Sequence, residues 1–271
     1  MTILGYLEAL LLIGLPLSAL MALAWVVQQR TGNSGWVDTI WTFSVGLVGA
    51  AGALWPVTGE APNGRQWLVA VLVAIWSVRL GTHVARRTTK ISDDPRYAEF
   101  ARQWGKDAPR RMFLFLQQQA WGSLPLAFAI FVAAHVPAAG LRLQDGLGAL
   151  ILLIGIAGEA LADAQLKAFR SNPDNHGKVC DVGLWRWSRH PNYFFEWVCW
   201  LSYPVIALAP DYPWGLASIL APLFMYWILV HVTGIPPLEE QMLRSRGARY
   251  RAYQDRTSAF FPLPPRKQSA I

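Results

Sequence analysis

Ser188-Arg189-His190-Pro191-Asn192-Tyr193-Phe194-Phe195-Glu196-Trp197-Val198-Cys199-Trp200-Leu201 is a polar elbow that runs directly into an apolar stretch. Proline suits a first helical turn and pushes the residue before it towards extended backbone. A helix should therefore begin at about Pro191, with His190 left on the elbow. Asn192 and Glu196 are four apart and Tyr193 and Glu196 three apart, so an amide, a phenol and a carboxylate share neighbouring faces of the first turns. No further charge follows before Pro210. Glu196 thus enters a helix apolar enough for a membrane, where an ionisable group is costly and usually functional. An interfacial belt accounts for the Trp and Tyr residues, but not for Arg189, His190, Asn192 and Glu196 together.

The rest of the chain has the same character. Hydrophobic residues make up 54% and charged residues 15% of 271, a balance that describes a polytopic membrane protein. Apolar windows lie at about 3–27, 37–57, 67–84, 112–135, 146–166, 193–210 and 214–235, each long enough to cross a hydrocarbon layer about 30 Å thick. The expected fold is all-α: a bundle of about seven transmembrane helices forming one integral-membrane domain over 1–271, with a cofactor region at about 146–264. With the N-terminus outside, the inner segments hold 21 basic residues and the outer segments only Arg65 and Arg142. This sets the C-terminus in the cytoplasm. The net charge of +7 then marks that face and not a nucleic-acid partner. The first span has no basic leader and carries Glu8, so it reads as a retained helix. Cys180 and Cys199 lack the spacing of a disulfide or metal site, and no metal is expected.

The remaining polar residues cluster at the inner ends of the spans. Asp38 either caps the second span or faces the bundle interior. Arg79, His83 and Arg86 form one stripe of the third. The loop Ile91-Ser92-Asp93-Asp94-Pro95-Arg96-Tyr97 offers Ser92 or Asp93 as cap of a short amphipathic helix that lies on anionic lipid or closes over an anionic ligand. The fifth span ends in Glu159, Asp163, Lys167 and Arg170 on one face. This is either an internal ion-pair ladder or a pair of acids for a polar ligand with two bases for its phosphates. The tail from Pro236 to Gln254 is an amphipathic helix followed by a Gly-containing turn, and Phe260-Phe261-Pro262 ends it. No nucleotide-binding glycine loop or acyl-transfer elbow is present. A polar cytosolic cofactor with a lipophilic substrate from the bilayer is the natural expectation.

Arg189-His190-Pro191-Asn192-Tyr193 with Glu196, followed by Glu239-Glu240, Arg244, Tyr250, Tyr253 and Pro262, resembles the C-terminal region of the membrane steroid 5-alpha-reductase and sterol reductase superfamily. Asp94-Pro95-Arg96-Tyr97 and Arg79-Leu80-Gly81-Thr82-His83 look like its bacterial branch. The resemblance implies an NADPH-dependent reductase of a conjugated carbon–carbon double bond, in a bacterial inner membrane with the cofactor site facing the cytoplasm. Asp163 and Arg170 would bind the adenosine-diphosphate part, and Asn192 and Glu196 would lie near the nicotinamide. Glu159, Lys167, Arg189, His190, Tyr193, Glu239, Arg244 and Tyr250 complete the candidate cofactor set. The steroid reductases place a glutamate on the second helix and a tyrosine on the third against the substrate ketone; this chain offers Asp38 and His83. The candidate catalytic residues are His83, Asp38 and Glu196. The superfamily also contains methyltransferases with a similar elbow, so an S-adenosylmethionine-dependent lipid methyltransferase is the alternative, and a non-catalytic lipid-binding bundle ranks third.

Overall fold

The computed structural model describes residues 2–57 and 59–266. Among these there is no strand, and the chain forms two compact units. Four helical runs are long and apolar enough to cross a membrane: Ile3–Thr31, Gly64–Thr88, Leu143–Ser171 and Pro213–Arg246. The described residues form an all-helical integral membrane protein.

The first unit comprises Met1–Ala149 and Tyr203–Ala221. Its helices are α1 (Ile3–Thr31), α2 (Gly35–Ala53), α3 (Gly64–Thr88), α4 (Pro95–Trp104), α5 (Ala108–Gly122) and α6 (Leu124–Ala134). Helix α1 is capped by the Thr2 hydroxyl and closes at Gly32, whose φ of 66° favours glycine. Asn63 and Gln66 form a reciprocal capping box at the start of α3. Helices α2 and α3 pack closely because a Cβ at Gly46 would collide with the Ser77 side chain. One at Gly49 would come within 2.7 Å of Ile130 on α6. The small residues of α2 therefore serve packing within the chain. The apolar window at 112–135 is not one continuous helix. Ser123 ends α5, and Pro125 in the first turn of α6 cannot donate the bond that would join them.

Arg65 and Arg142, near the starts of α3 and of the long helix that begins at Leu143, meet one carboxylate. Arg65 is 2% exposed; its Nε donates to Asp145 Oδ2 at 3.1 Å, and its remaining nitrogens donate to the carbonyls of Val136, Ala138 and Gly140. Arg142 Nη2 reaches Asp145 Oδ1 at 3.0 Å and the Ile206 carbonyl. A buried guanidinium is tolerable only when every donor is met, and here the carbonyls of a loop are drawn around it.

The second unit comprises Leu150–Ser202 and Pro222–Ile271. It holds most of α7 (Leu143–Ser171), α8 (Pro191–Ala207) and α9 (Leu220–Trp227), with α10 (Ile235–Arg246) and α11 (Ala248–Arg256). Helix α8 begins at Pro191, as the elbow sequence requires. At Gly155 a Cβ would lie 2.5 Å from Cys199 Sγ and 2.9 Å from the Phe195 carbonyl, so glycine lets α7 and α8 approach. After α9 the chain makes a wide turn over Ile228–Val232 and breaks at Gly234, where a Cβ would strike the Leu229 carbonyl. Pro236 and Pro237 then open α10. Gly247, with φ of 53°, separates α10 from α11.

Replacing Asp145 with Asn should leave two guanidinium groups without their charge partner. The expected loss is about 3 kcal/mol of stability, read as a lower unfolding temperature in detergent. An unchanged temperature would mean the cluster does not hold this unit together.

Candidate functional site

The elbow of the second unit is held by one carboxylate. Glu239 Oε1 accepts from Arg189 Nε at 2.6 Å, lies 3.2 Å from His190 Nε2 and accepts from Tyr250 Oη at 3.4 Å. Its Oε2 accepts from Gln254 Nε2 at 2.7 Å. The Arg189 and Glu239 side chains are only 11% and 14% exposed, and Arg189 Nη1 also donates to the carbonyls of Gln254 and Thr257. Ser188 continues the tie: its hydroxyl donates to the Phe260 carbonyl at 2.8 Å, and its own carbonyl and that of Trp185 accept from Tyr253. Four sequence-predicted residues, Arg189, His190, Glu239 and Tyr250, thus form one network with Gln254, which the sequence reading missed. The His190 ring stacks on Tyr193 at 5.6 Å. Burial disfavours the charged imidazole more than Glu239 favours it, so the pKa of His190 is lowered and the ring is neutral at pH 7.

Beyond the elbow, Glu196 is 5% exposed and accepts from Trp200 Nε1 at 2.9 Å, one turn along α8. Asn192 is half-buried, and its amide has no hydrogen-bond partner among the described residues. On α7, Glu159 is buried, Asp163 half-buried, and Lys167 and Arg170 exposed. The ladder does not form at its basic end: neither Lys167 nor Arg170 has an ion pair or hydrogen bond among the described residues. Arg170 lies close enough to Arg246 for their charges to repel, and Arg246 Nε is buried without an acceptor. Arg244, by contrast, stands on the surface and pairs with Glu240 at 2.6 Å.

The catalytic candidates of the first unit are also placed. Asp38 does not cap α2; its carboxylate receives Arg96 Nη2 and, at 2.8 Å, the Tyr97 hydroxyl. Arg87 lies 4.0 Å from it. The cap of α4 is Asp94, one residue beyond the expected pair, because its carboxylate serves the Arg96 amide and guanidinium at 3.0 Å. Asp93 instead accepts from the Ser34 amide at the start of α2, at 2.7 Å. Burial and then the negative Asp38 raise the pKa of Tyr97 well above its ordinary value, so its phenol stays protonated. Tyr97 also accepts from Gln119 Nε2 at 3.2 Å. His83 is exposed on α3. A carboxylate–phenol pair was therefore legible only in three dimensions. Among the described residues no three His, Cys, Asp or Glu side chains gather as a metal site.

The chain belongs to the family described as "Protein of unknown function (DUF1295)", whose model matches residues 24–257. It is 39% identical over 84 residues to an uncharacterized protein of Schizosaccharomyces pombe, C594.04c, a stretch covering 30% of this chain and 23% of that protein. The chain thus spans under a quarter of that relative's length. No solved structure matches.

The neutral His190 sets a pH dependence. Its folded pKa lies below the unfolded value of about 6.5, so as pH falls the unfolded chain binds the proton first. Stability is fully present above about pH 6.5 and is lost below it, by at most about 1.4 kcal/mol per pH unit. Thermal unfolding of wild type and His190→Gln between pH 7.5 and 5 should show a smaller slope for the variant; equal slopes would exclude His190 as the titrating group.

Proposed function

We propose that this family member is an NADPH-dependent reductase that saturates a carbon–carbon double bond conjugated to a carbonyl in a lipophilic, steroid-like or other enone lipid from the bilayer. The reading includes seven spans, with the N-terminus outside and the cofactor residues on the cytoplasmic side of a bacterial inner membrane. The observation that carries it is the set of unmet donors in the second unit. Among the described residues Lys167 and Arg170 lack an acid, Arg246 Nε lacks an acceptor, and the Asn192 amide lacks a partner. Gathering cations without an acid is unfavourable, and phosphates offset that cost with charge-assisted bonds. A phosphorylated dinucleotide fits this donor set.

NADPH would supply a hydride to the β-carbon of the enone. Lys167 and Arg170 would hold phosphate groups. Asn192 and Glu196 would orient the reactive end, with Trp200 fixing the Glu196 carboxylate. Charge would develop on the carbonyl oxygen as the enolate forms, His83 would donate a hydrogen bond to that oxygen, and a proton taken from water at the α-carbon would complete the saturation. Asp38, held by Arg96 and Tyr97, is then a positioning residue. Arg189, His190, Glu239 and Tyr250 keep the elbow in place through their mutual bonds.

Purified protein in detergent should be stabilised by NADPH and not by S-adenosylmethionine, and Arg170→Ala should weaken NADPH binding about tenfold or more. A response to S-adenosylmethionine alone would replace this reading with the methyltransferase. Turnover of a lipid enone should fall in His83→Ala while NADPH affinity stays within about twofold. An equal loss of both would remove His83 from the donor role.

A further inference from the structure

A second set of unmet donors lies under the C-terminal strap of the second unit, away from Lys167 and Arg170 in sequence. After α11 the chain runs extended beside the elbow. The Arg189 amide donates to the Ser258 carbonyl at 2.8 Å, the Leu263 amide to Trp187 at 3.0 Å and the Arg266 amide to Arg256 at 2.9 Å. Between strap and elbow is a cavity of about 230 Å³ whose lining includes Arg189, Arg256, Arg266, Thr257 and Ser258 and contains no acidic residue.

Three guanidinium groups around one cavity make fifteen N–H donors, five on each. Arg189 spends Nε on Glu239 and Nη1 on two carbonyls, which leaves Nη2. Arg256 spends Nη2 on Asp181, which leaves Nε and Nη1. The Arg266 side chain has no partner among the described residues, and neither do the Thr257 and Ser258 hydroxyls. Among the described residues Glu239 and Asp181 balance two of the cations, and the charge of the third is uncompensated. Arginine forks of this kind match the oxygens of a phosphate, and the strap's backbone bonds fix the walls before any ligand arrives. The volume lies below the roughly 300–1,000 Å³ of pockets that enclose whole organic ligands. It suits one phosphate or diphosphate group.

We propose that this cavity is an anion site for a phosphate or diphosphate group, with Arg266 supplying the uncompensated charge and Arg189, Arg256, Thr257 and Ser258 the remaining donors. The site does not depend on the reductase reading. Its ligand is a free phosphate compound or a phosphorylated lipid headgroup, which share this chemistry.

The test uses the full chain in a zwitterionic, phosphate-free detergent and, in parallel, in nanodiscs. Pyrophosphate is titrated calorimetrically into the detergent sample; nanodiscs of phosphatidylcholine with and without phosphatidic acid are compared by thermal unfolding. Arg266 is exposed, so Arg266→Ala and Arg266→Glu should fold. Pyrophosphate binding weakened about tenfold by Arg266→Ala, and more by Arg266→Glu, would support the site with a soluble ligand. Stabilisation by phosphatidic acid alone, lost in Arg266→Glu, would support it with a lipid. Either no response to both probes, or responses that Arg266→Glu leaves unchanged, would overturn it.

Discussion

The second unit depends on the carboxylate of Glu239. The elbow at Ser188–Pro191 has no helix to satisfy its polar groups, and Pro191 contributes no amide. Arg189 is therefore a buried cation in a segment that cannot neutralise it, and its partner comes from fifty residues further on. Because Glu239 accepts from Arg189, Tyr250 and Gln254 and lies beside His190, one side chain fixes the elbow to α10 and α11 at once. Each donor would be costly to leave unmet in a poorly hydrated setting, so the network tends to form whole or not at all. The strap then follows, since Ser188 and Arg189 also bind its backbone.

The first unit solves the same problem twice. Where the chain leaves α3, Asp38 on α2 receives Arg96 and Tyr97 and so draws α4 against it. Where it leaves α6, Asp145 receives Arg65 and Arg142. Apolar helices gain little from one another in a lipid surrounding, where the hydrophobic effect does not separate them, so small residues and polar ties fix their packing. Gly46 and Gly49 supply close approach; the carboxylates supply position.

What the sequence revealed follows from what is local. Pro191 announced the start of α8, the proline pair and Gly247 shaped the tail into two helices, and each of the seven apolar windows overlaps helix, four of them the helical runs long enough to cross a membrane. The break at Ser123 was hidden because an apolar window averages over a serine whose role is to end one helix beside a proline. Asp94 displaced Asp93 as a cap because a neighbouring element, the start of α2, claimed Asp93. The ladder on α7 had correct spacing and, among the described residues, no bonds at its basic end, since spacing places side chains on a face without deciding which acceptor they choose. The pairing of Arg189 with Glu239 and of Asp38 with Tyr97 spans 50 and 59 residues. No periodicity reports such a distance.

This distinction also separates charge that the fold satisfies from charge without a partner among the described residues. Arg65, Arg96 and Arg189 are met by carboxylates or carbonyls that the fold delivers to them, and their presence is explained once those bonds are counted. Lys167, Arg170 and Arg266 have no such explanation among the described residues, and Asn192 adds a neutral donor with none. Solvent alone would satisfy an exposed lysine, but it does not account for Arg246, whose Nε is buried without an acceptor and whose charge is felt by Arg170. A like-charged pair with a buried donor costs stability in the free protein. On the proposed reading, a bound phosphate would reverse that cost, because a ligand that binds only the folded chain stabilises it.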